Sequence, residues 1–119
     1  MDTQPAIRVL LVDDSSMARD LLRDILHASS DIRVVGEAAN GQEAVALAKE
    51  LKPDVICMDL NMPLMDGIEA IDIIMHHKAI PILVVSAETD ATKAYQALDT
   101  GALDIIAKPG LNKDEATQL

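Results

Sequence analysis

At 119 residues and 50% hydrophobic composition, the chain has room for one domain around a single packed core and excludes a second. One Tyr with no Phe or Trp removes the flat platforms on which bases and flavins stack, and a formal net charge of -10 repels phosphate backbones and anionic lipid surfaces, so neither nucleic-acid nor membrane binding is expected. Cys57 is the sole cysteine, which rules out an internal disulfide or a thiol zinc cluster; the polar opening Met1-Asp2-Thr3-Gln4-Pro5 does not support a secretory signal, and a cytoplasmic protein is the simplest expectation.

Four apolar runs have the length and β-branched content of strands buried on both faces: Val9 to Val12, Val55 to Met58, Ile82 to Val85 and Ile105 to Ala107. After the first, a helix is expected from about Ser15 to Ala28, with Leu21, Leu22, Ile25 and Leu26 at helical spacing and Arg19, Asp20, Arg23 and Asp24 on the opposite face. Ile32 to Ala38 contains a further strand. Asn40-Gly41-Gln42-Glu43 then resembles a capping box opening a helix that carries Ala44, Val45, Leu47, Ala48 and Leu51 and is closed by Pro53. A third helix follows Asp66-Gly67, turns Ile68, Ile71, Ile74 and Met75 inward, and ends at His76-His77-Lys78, whose basic groups complement a helix C-terminus; His27 reads the same way. A fourth helix starts near Thr89 and reaches Thr100, where Gly101 is placed to end it. Asn112 to Glu115 looks like another capping box, with only Ala116 to Leu119 after it, so the last helix, from about residue 113, is short or truncated. The six methionines fill gaps in a core almost free of aromatics.

This βα alternation predicts a flavodoxin-like, doubly wound sheet of five parallel strands in order 2-1-3-4-5 with helices on both faces. Ligands of such sheets bind outside the carboxyl ends of the strands, and there the apolar runs stop on Asp13-Asp14, Asp59, Ser86 and Lys108. An isolated Asp-Asp pair reads as a helix cap, and Ser86 alone reads the same way. The coincidence at several strand ends argues instead for one site. Three carboxylates about 5 Å apart at an effective dielectric near 20 repel by roughly 3 kcal/mol per pair, so the cluster calls for a cation or a retained proton. Oxygen ligands with several waters suit magnesium. A carboxylate nucleophile, a metal, a lysine and a hydroxyl donor are the parts for phosphoryl transfer that forms an acyl phosphate.

The motifs Val12-Asp13-Asp14-Ser15, Met58-Asp59-Leu60-Asn61-Met62-Pro63, Met65-Asp66-Gly67, Ser86-Ala87 and Lys108-Pro109 occur in the order and at the spacing of a known family. Across residues 1-119 the chain resembles the receiver domain of two-component response regulators. Within that family, Ile7 to Ser15, Pro81 to Ser86 and Gly101-Ala102-Leu103-Asp104 look most similar to the receivers of chemotaxis protein-glutamate methylesterases.

The resemblance implies Asp59 as phosphoacceptor, Asp14 as a direct Mg2+ ligand, Asp13 acting through bound water, and the Asn61 backbone carbonyl completing the protein ligands. Ser86 would move toward the phosphoryl group and Lys108 would contact it. The donor would be a histidine kinase or phosphotransfer protein. The output face would be the fourth helix, fifth strand and C-terminal segment, read by a partner or by an esterase domain that this chain does not contain, so the chain by itself would carry out only its own phosphotransfer. Ile105 stands where the family commonly has a switching aromatic residue. Two other readings are an interaction scaffold independent of phosphorylation and an aspartyl-phosphate phosphohydrolase, which should carry Asp-x-Asp where this chain has an adjacent pair.

Overall fold

In a computed structural model, residues 6–62, 64–86 and 91–107 are described. They form β1 (Ile7–Val12), α1 (Ser16–His27), β2 (Ile32–Ala38), α2 (Gly41–Leu51), β3 (Val55–Met58), α3 (Gly67–His77), β4 (Ile82–Ser86), α4 (Ala91–Thr100) and β5 (Asp104–Ala107). All strand pairings are parallel, in the expected order β2-β1-β3-β4-β5. From β1 the chain steps outward to β2, then reverses and moves steadily toward β5. Right-handed crossovers therefore place α1 on one face and α2, α3 and α4 on the other. The reversal opens the crevice between β1 and β3.

The helix ends follow side-chain chemistry closely. Ser15 caps α1 rather than belonging to it, its Oγ accepting the Ala18 N–H at 3.1 Å. At α2, Asn40 Oδ1 accepts the Glu43 N–H at 2.9 Å, but Glu43 Oε1 accepts from Ala39 N–H at 2.8 Å, one residue before the cap. The capping box is thus displaced by one position. Lys52, left-handed at φ 50°, ends α2 immediately before Pro53. Asp66 caps α3 through Glu69 N–H at 3.0 Å.

Gly101 closes α4 with φ +138°; its N–H donates to Leu98 O at 3.2 Å and the Ala102 N–H to Ala97 O at 2.8 Å, the paired bonds of a Schellman ending. Thr89, where the sequence placed the start of α4, lies outside the described residues, as does the segment from residue 113.

Leu10, Leu11, Val12, Ile56, Met58, Ile71, Ile82 and Val84 are fully buried. Met58 is in this core while Met62, Met65 and Met75 pack against it, as expected of methionine in an aromatic-poor interior; Met17 is exposed. Ile25 departs from its expected inward position, at 46% exposure. It lies in the last turns of α1, which packs against β1 and the edge strand β2, and among the described residues no strand continues the sheet beyond β2. His27 is in the last turn of α1, where its Nε2 accepts the Val34 N–H at 3.1 Å and so ties the helix to β2. No described helix is long and apolar enough to cross a membrane.

Cys57, in the central strand, has its thiol pushed up from 9.0 to about 11 because burial disfavours the thiolate. Between those two pH values only the unfolded chain ionises, so this residue's contribution to stability is complete below pH 9 and lost as pH rises toward 11. Alkylation of native protein by iodoacetamide at pH 9, where an unperturbed thiol is half ionised, is expected to be far slower than in urea. Equal rates in a mass-spectrometric time course contradict this placement.

Candidate functional site

β1 and β3 are in register with Val12 opposite Met58, so the next residues, Asp13 and Asp59, leave the sheet side by side. Asp59 N–H donates to Val12 O at 2.9 Å and Asp13 N–H to Ala38 O at 3.0 Å, which extends the hydrogen-bond ladder one step past the strands on both sides of β1. Asp13 and Asp59 are 2% and 6% exposed, whereas Asp14 faces solvent. One carboxylate oxygen from each of the three lies within 4.8 Å of the others. The acidic cluster expected at the strand ends is therefore formed, two of its members buried and one open.

Each buried carboxylate is oriented by the turn that follows it. Asp13 Oδ1 accepts the Ser15 N–H at 2.9 Å, and Asp59 Oδ1 accepts the Asn61 N–H in a longer contact of 3.4 Å. Ser86, 6% exposed, is the last residue of β4 and pairs with Ala107 of β5, so it stands at the same edge of the sheet. Lys108 follows β5 directly in sequence and lies outside the described residues. Asn61 is exposed beside the cluster, and its side-chain Oδ1 accepts from Lys93 Nζ of α4 at 2.8 Å.

The loop after Asp59 is held closed by its own backbone. Gly67 N–H donates to Leu60 O at 3.0 Å and Gly41 N–H, at the start of α2, to Met65 O at 3.1 Å. Leu64 takes the left-handed conformation at φ 68° between these two ties. A Cβ built on Gly67 would lie 2.6 Å from Asp59 O and 2.7 Å from Leu60 Cα, closer than atoms can approach, so only glycine lets α3 start against the backbone of Asp59.

A second polar group, which sequence reasoning placed on the solvated side of α1, also reaches the cluster. Arg19 Nη1 donates to the backbone oxygen of Asp13 at 2.6 Å while its Nε donates to Glu37 Oε1 of β2 at 3.0 Å. Arg23 pairs with the other oxygen of Glu37 and, at 2.8 Å, with Asp20 Oδ1. Glu37 above all raises the Arg23 guanidinium above its ordinary value. Nothing in local spacing reveals these contacts; the one signal is a glutamate, only partly exposed, near the carboxyl end of the edge strand.

With this geometry in place, the sequence was compared with known proteins, and residues 9–118 match the response regulator receiver domain. The chain belongs to the response regulator receiver family. Curated relatives of this receiver include protein-glutamate methylesterase/protein-glutamine glutaminase 3 of Paramagnetospirillum magneticum, 50% identical over 93% of this chain and 31% of that protein. Another is the corresponding enzyme 2 of Carboxydothermus hydrogenoformans, 52% identical over 87% of this chain and 30% of that protein. The receiver thus spans about a third or less of the length of these relatives.

Among solved structures, the response regulator domain of Thermotoga maritima CheB superposes with a TM-score of 0.84 at 47% identity, covering 88% of this chain and 80% of that one. A chain of the Borrelia burgdorferi CheX–CheY complex with BeF3 and magnesium gives a TM-score of 0.83 at 30% identity, over 96% of this receiver and 86% of that chain. The expected likeness to chemotaxis methylesterase receivers is borne out, as is the flavodoxin-like fold.

Gly67→Ala is expected to lower stability by about 1–3 kcal/mol, since the added methyl group meets backbone rather than a movable side chain. A urea midpoint unchanged from the parent contradicts the close approach.

Proposed function

We propose that this receiver is the phosphorylation-controlled switch of a chemotaxis-type two-component relay, in which Asp59 accepts a phosphoryl group from a phosphohistidine on a histidine kinase or phosphotransfer protein. The observation that carries the proposal is the buried Asp59 carboxylate held within 4.8 Å of Asp13 and Asp14 at the β1/β3 crevice.

The donor set fits magnesium. It consists of carboxylate oxygens with neither histidine nor thiol among the clustered groups, and its exposed side leaves room for retained water. Asp14 and Asp59 would bind the ion directly, Asp13 through water, and the Asn61 backbone carbonyl would add a neutral ligand. Bound there, Mg2+ supplies positive charge that offsets the carboxylates and the phosphoryl oxygens.

An Asp59 carboxylate oxygen attacks phosphorus in line with the departing imidazole nitrogen. The P–N bond breaks as the P–O bond forms, and the nitrogen keeps the bonding electron pair. The Ser86 hydroxyl donates to one phosphoryl oxygen and the Lys108 ammonium to another. Asp13 is buried, and its Oδ1 is already engaged by the Ser15 N–H, which orients it beside the pocket.

The readout proceeds through Ser86 to the face formed by α4, β5 and the C-terminal segment. Tyr95, Leu98, Leu103 and Ile106 are exposed on α4, β5 and the turn between them, an apolar character suited to a protein partner. Ile105 is half-buried, packs against the core and has no aromatic ring to rotate, so the readout does not use an aromatic switch at this position. The curated relatives support residues 1-119 as the regulatory domain for a methylesterase output.

Incubation of the chain with magnesium and a small acyl phosphate should produce a retarded band on a phosphate-affinity gel. Asp59→Asn and chelation of the metal should each abolish it. An unshifted parent chain sinks the proposal, and partner binding that is indifferent to both changes supports the scaffold reading instead.

A further inference from the structure

Asp13 and Asp14 are consecutive, and consecutive side chains of a strand point to opposite faces. Both carboxylates nevertheless join the same cluster with Asp59, one buried and the other exposed. The peptide between them must therefore leave strand geometry, and its orientation decides whether two adjacent aspartates serve one site. The Asp13 N–H belongs to the peptide before it and continues the ladder to Ala38 O. The Asp13 carbonyl belongs to the peptide in question, and its oxygen receives Arg19 Nη1 at 2.6 Å.

Arg19 is itself immobilised. Its side chain is 18% exposed, and its Nε donates to Glu37, which Arg23 grips from the other side. A planar guanidinium with fixed donor directions can hold a carboxylate on β2 and a carbonyl at the end of β1 together, whereas an ammonium has no such fork.

We infer that Arg19 is a positioning residue for the cation site: by clamping the Asp13 carbonyl against Glu37, it sets the Asp13–Asp14 peptide so that both carboxylates face Asp59. This inference rests on the magnesium-dependent reading of the acidic pocket. The Arg19 side chain donates to the Asp13 backbone carbonyl and to Glu37, not to a carboxylate of the cluster. It fixes the peptide that joins two of those carboxylates, as partners behind metal ligands commonly do.

Charge alone predicts the reverse of positioning. Removing a cation near three carboxylates should strengthen magnesium binding, because the site becomes more negative. Loss of the clamp should weaken it, because the carboxylates no longer converge. Arg19→Met is therefore decisive in sign.

Magnesium is titrated into the unphosphorylated chain and followed by backbone amide shifts, with urea unfolding as a parallel measurement. Arg19→Met is expected to weaken magnesium binding roughly 10-fold or more. Arg19→Lys, which keeps the charge and loses the fork, should fall well short of the parent. Charge alone predicts no change for Arg19→Lys, so that variant carries the test if Arg19→Met does not fold. The rate of Asp59 phosphorylation by a small acyl phosphate should drop at limiting magnesium and recover at saturating magnesium.

Unchanged or tighter magnesium binding in folded Arg19→Met, with only the urea midpoint lowered, overturns the inference and leaves Arg19 as a plain ion-pair residue. A parent chain that neither binds magnesium nor is phosphorylated on Asp59 overturns the reading beneath it, and this inference with it.

Discussion

Three like charges gathered at the ends of two neighbouring strands are the constraint around which this domain is organised. Each pair of carboxylates repels at the observed separation, and water screens only the Asp14 side, because Asp13 and Asp59 are almost fully buried. A carboxylate left to itself would swing outward. Instead, each buried one accepts a backbone N–H from the turn behind it, and the chain on either side is fastened to adjacent strands. The repulsion is thereby kept available for a cation to relieve. The apolar sheet beneath, with Leu10, Val12, Ile56, Met58 and Val84 buried, is rigid enough to hold such an arrangement because its packing leaves no easy alternative.

The legibility of this architecture varied with the range of the interaction. Strands were visible because a parallel sheet covered on both faces needs uninterrupted apolar runs, and Val9 to Val12 or Ile82 to Val85 have no other economical use. The carboxylates were visible because each one interrupts such a run. Helix ends were visible only to within a residue or so: Ser15 reads as the start of a helix and is its cap, and Glu43 returns to Ala39 rather than to Asn40. Arg19 and Glu37 were out of reach. They are 18 residues apart, and their meeting depends on how α1 lies across β2. A charged residue on a helix face has solvent as its default environment, and no local rule distinguishes the one that turns inward.

The loop after Asp59 shows how little freedom is left near the chemistry. It is tied to Gly67 at one end and to the start of α2 at the other, with a left-handed leucine between them. Beyond it, Lys93 reaches from α4 to Asn61. The acidic pocket is thus linked by hydrogen bonds to α1 through the Asp13 carbonyl, and to α2, α3 and α4 through Met65, Leu60 and Asn61 of the loop after Asp59. A change of charge at Asp59 has several rigid neighbours on which to act, and the isoleucine at position 105 removes only one of the possible levers.

The unequal exposure of the three aspartates also has a kinetic side. Because Asp14 faces solvent while its two companions do not, the cluster is open on the Asp14 side among the described residues, and an ion bound there would need no strand of the sheet to part. Occupancy of the pocket can therefore follow the free ion concentration on the timescale of ligand-water exchange, while the fold persists on the far longer timescale of global unfolding. An ion held there would have a residence set apart from the lifetime of the structure, and a pocket sealed on all three sides would have merged the two.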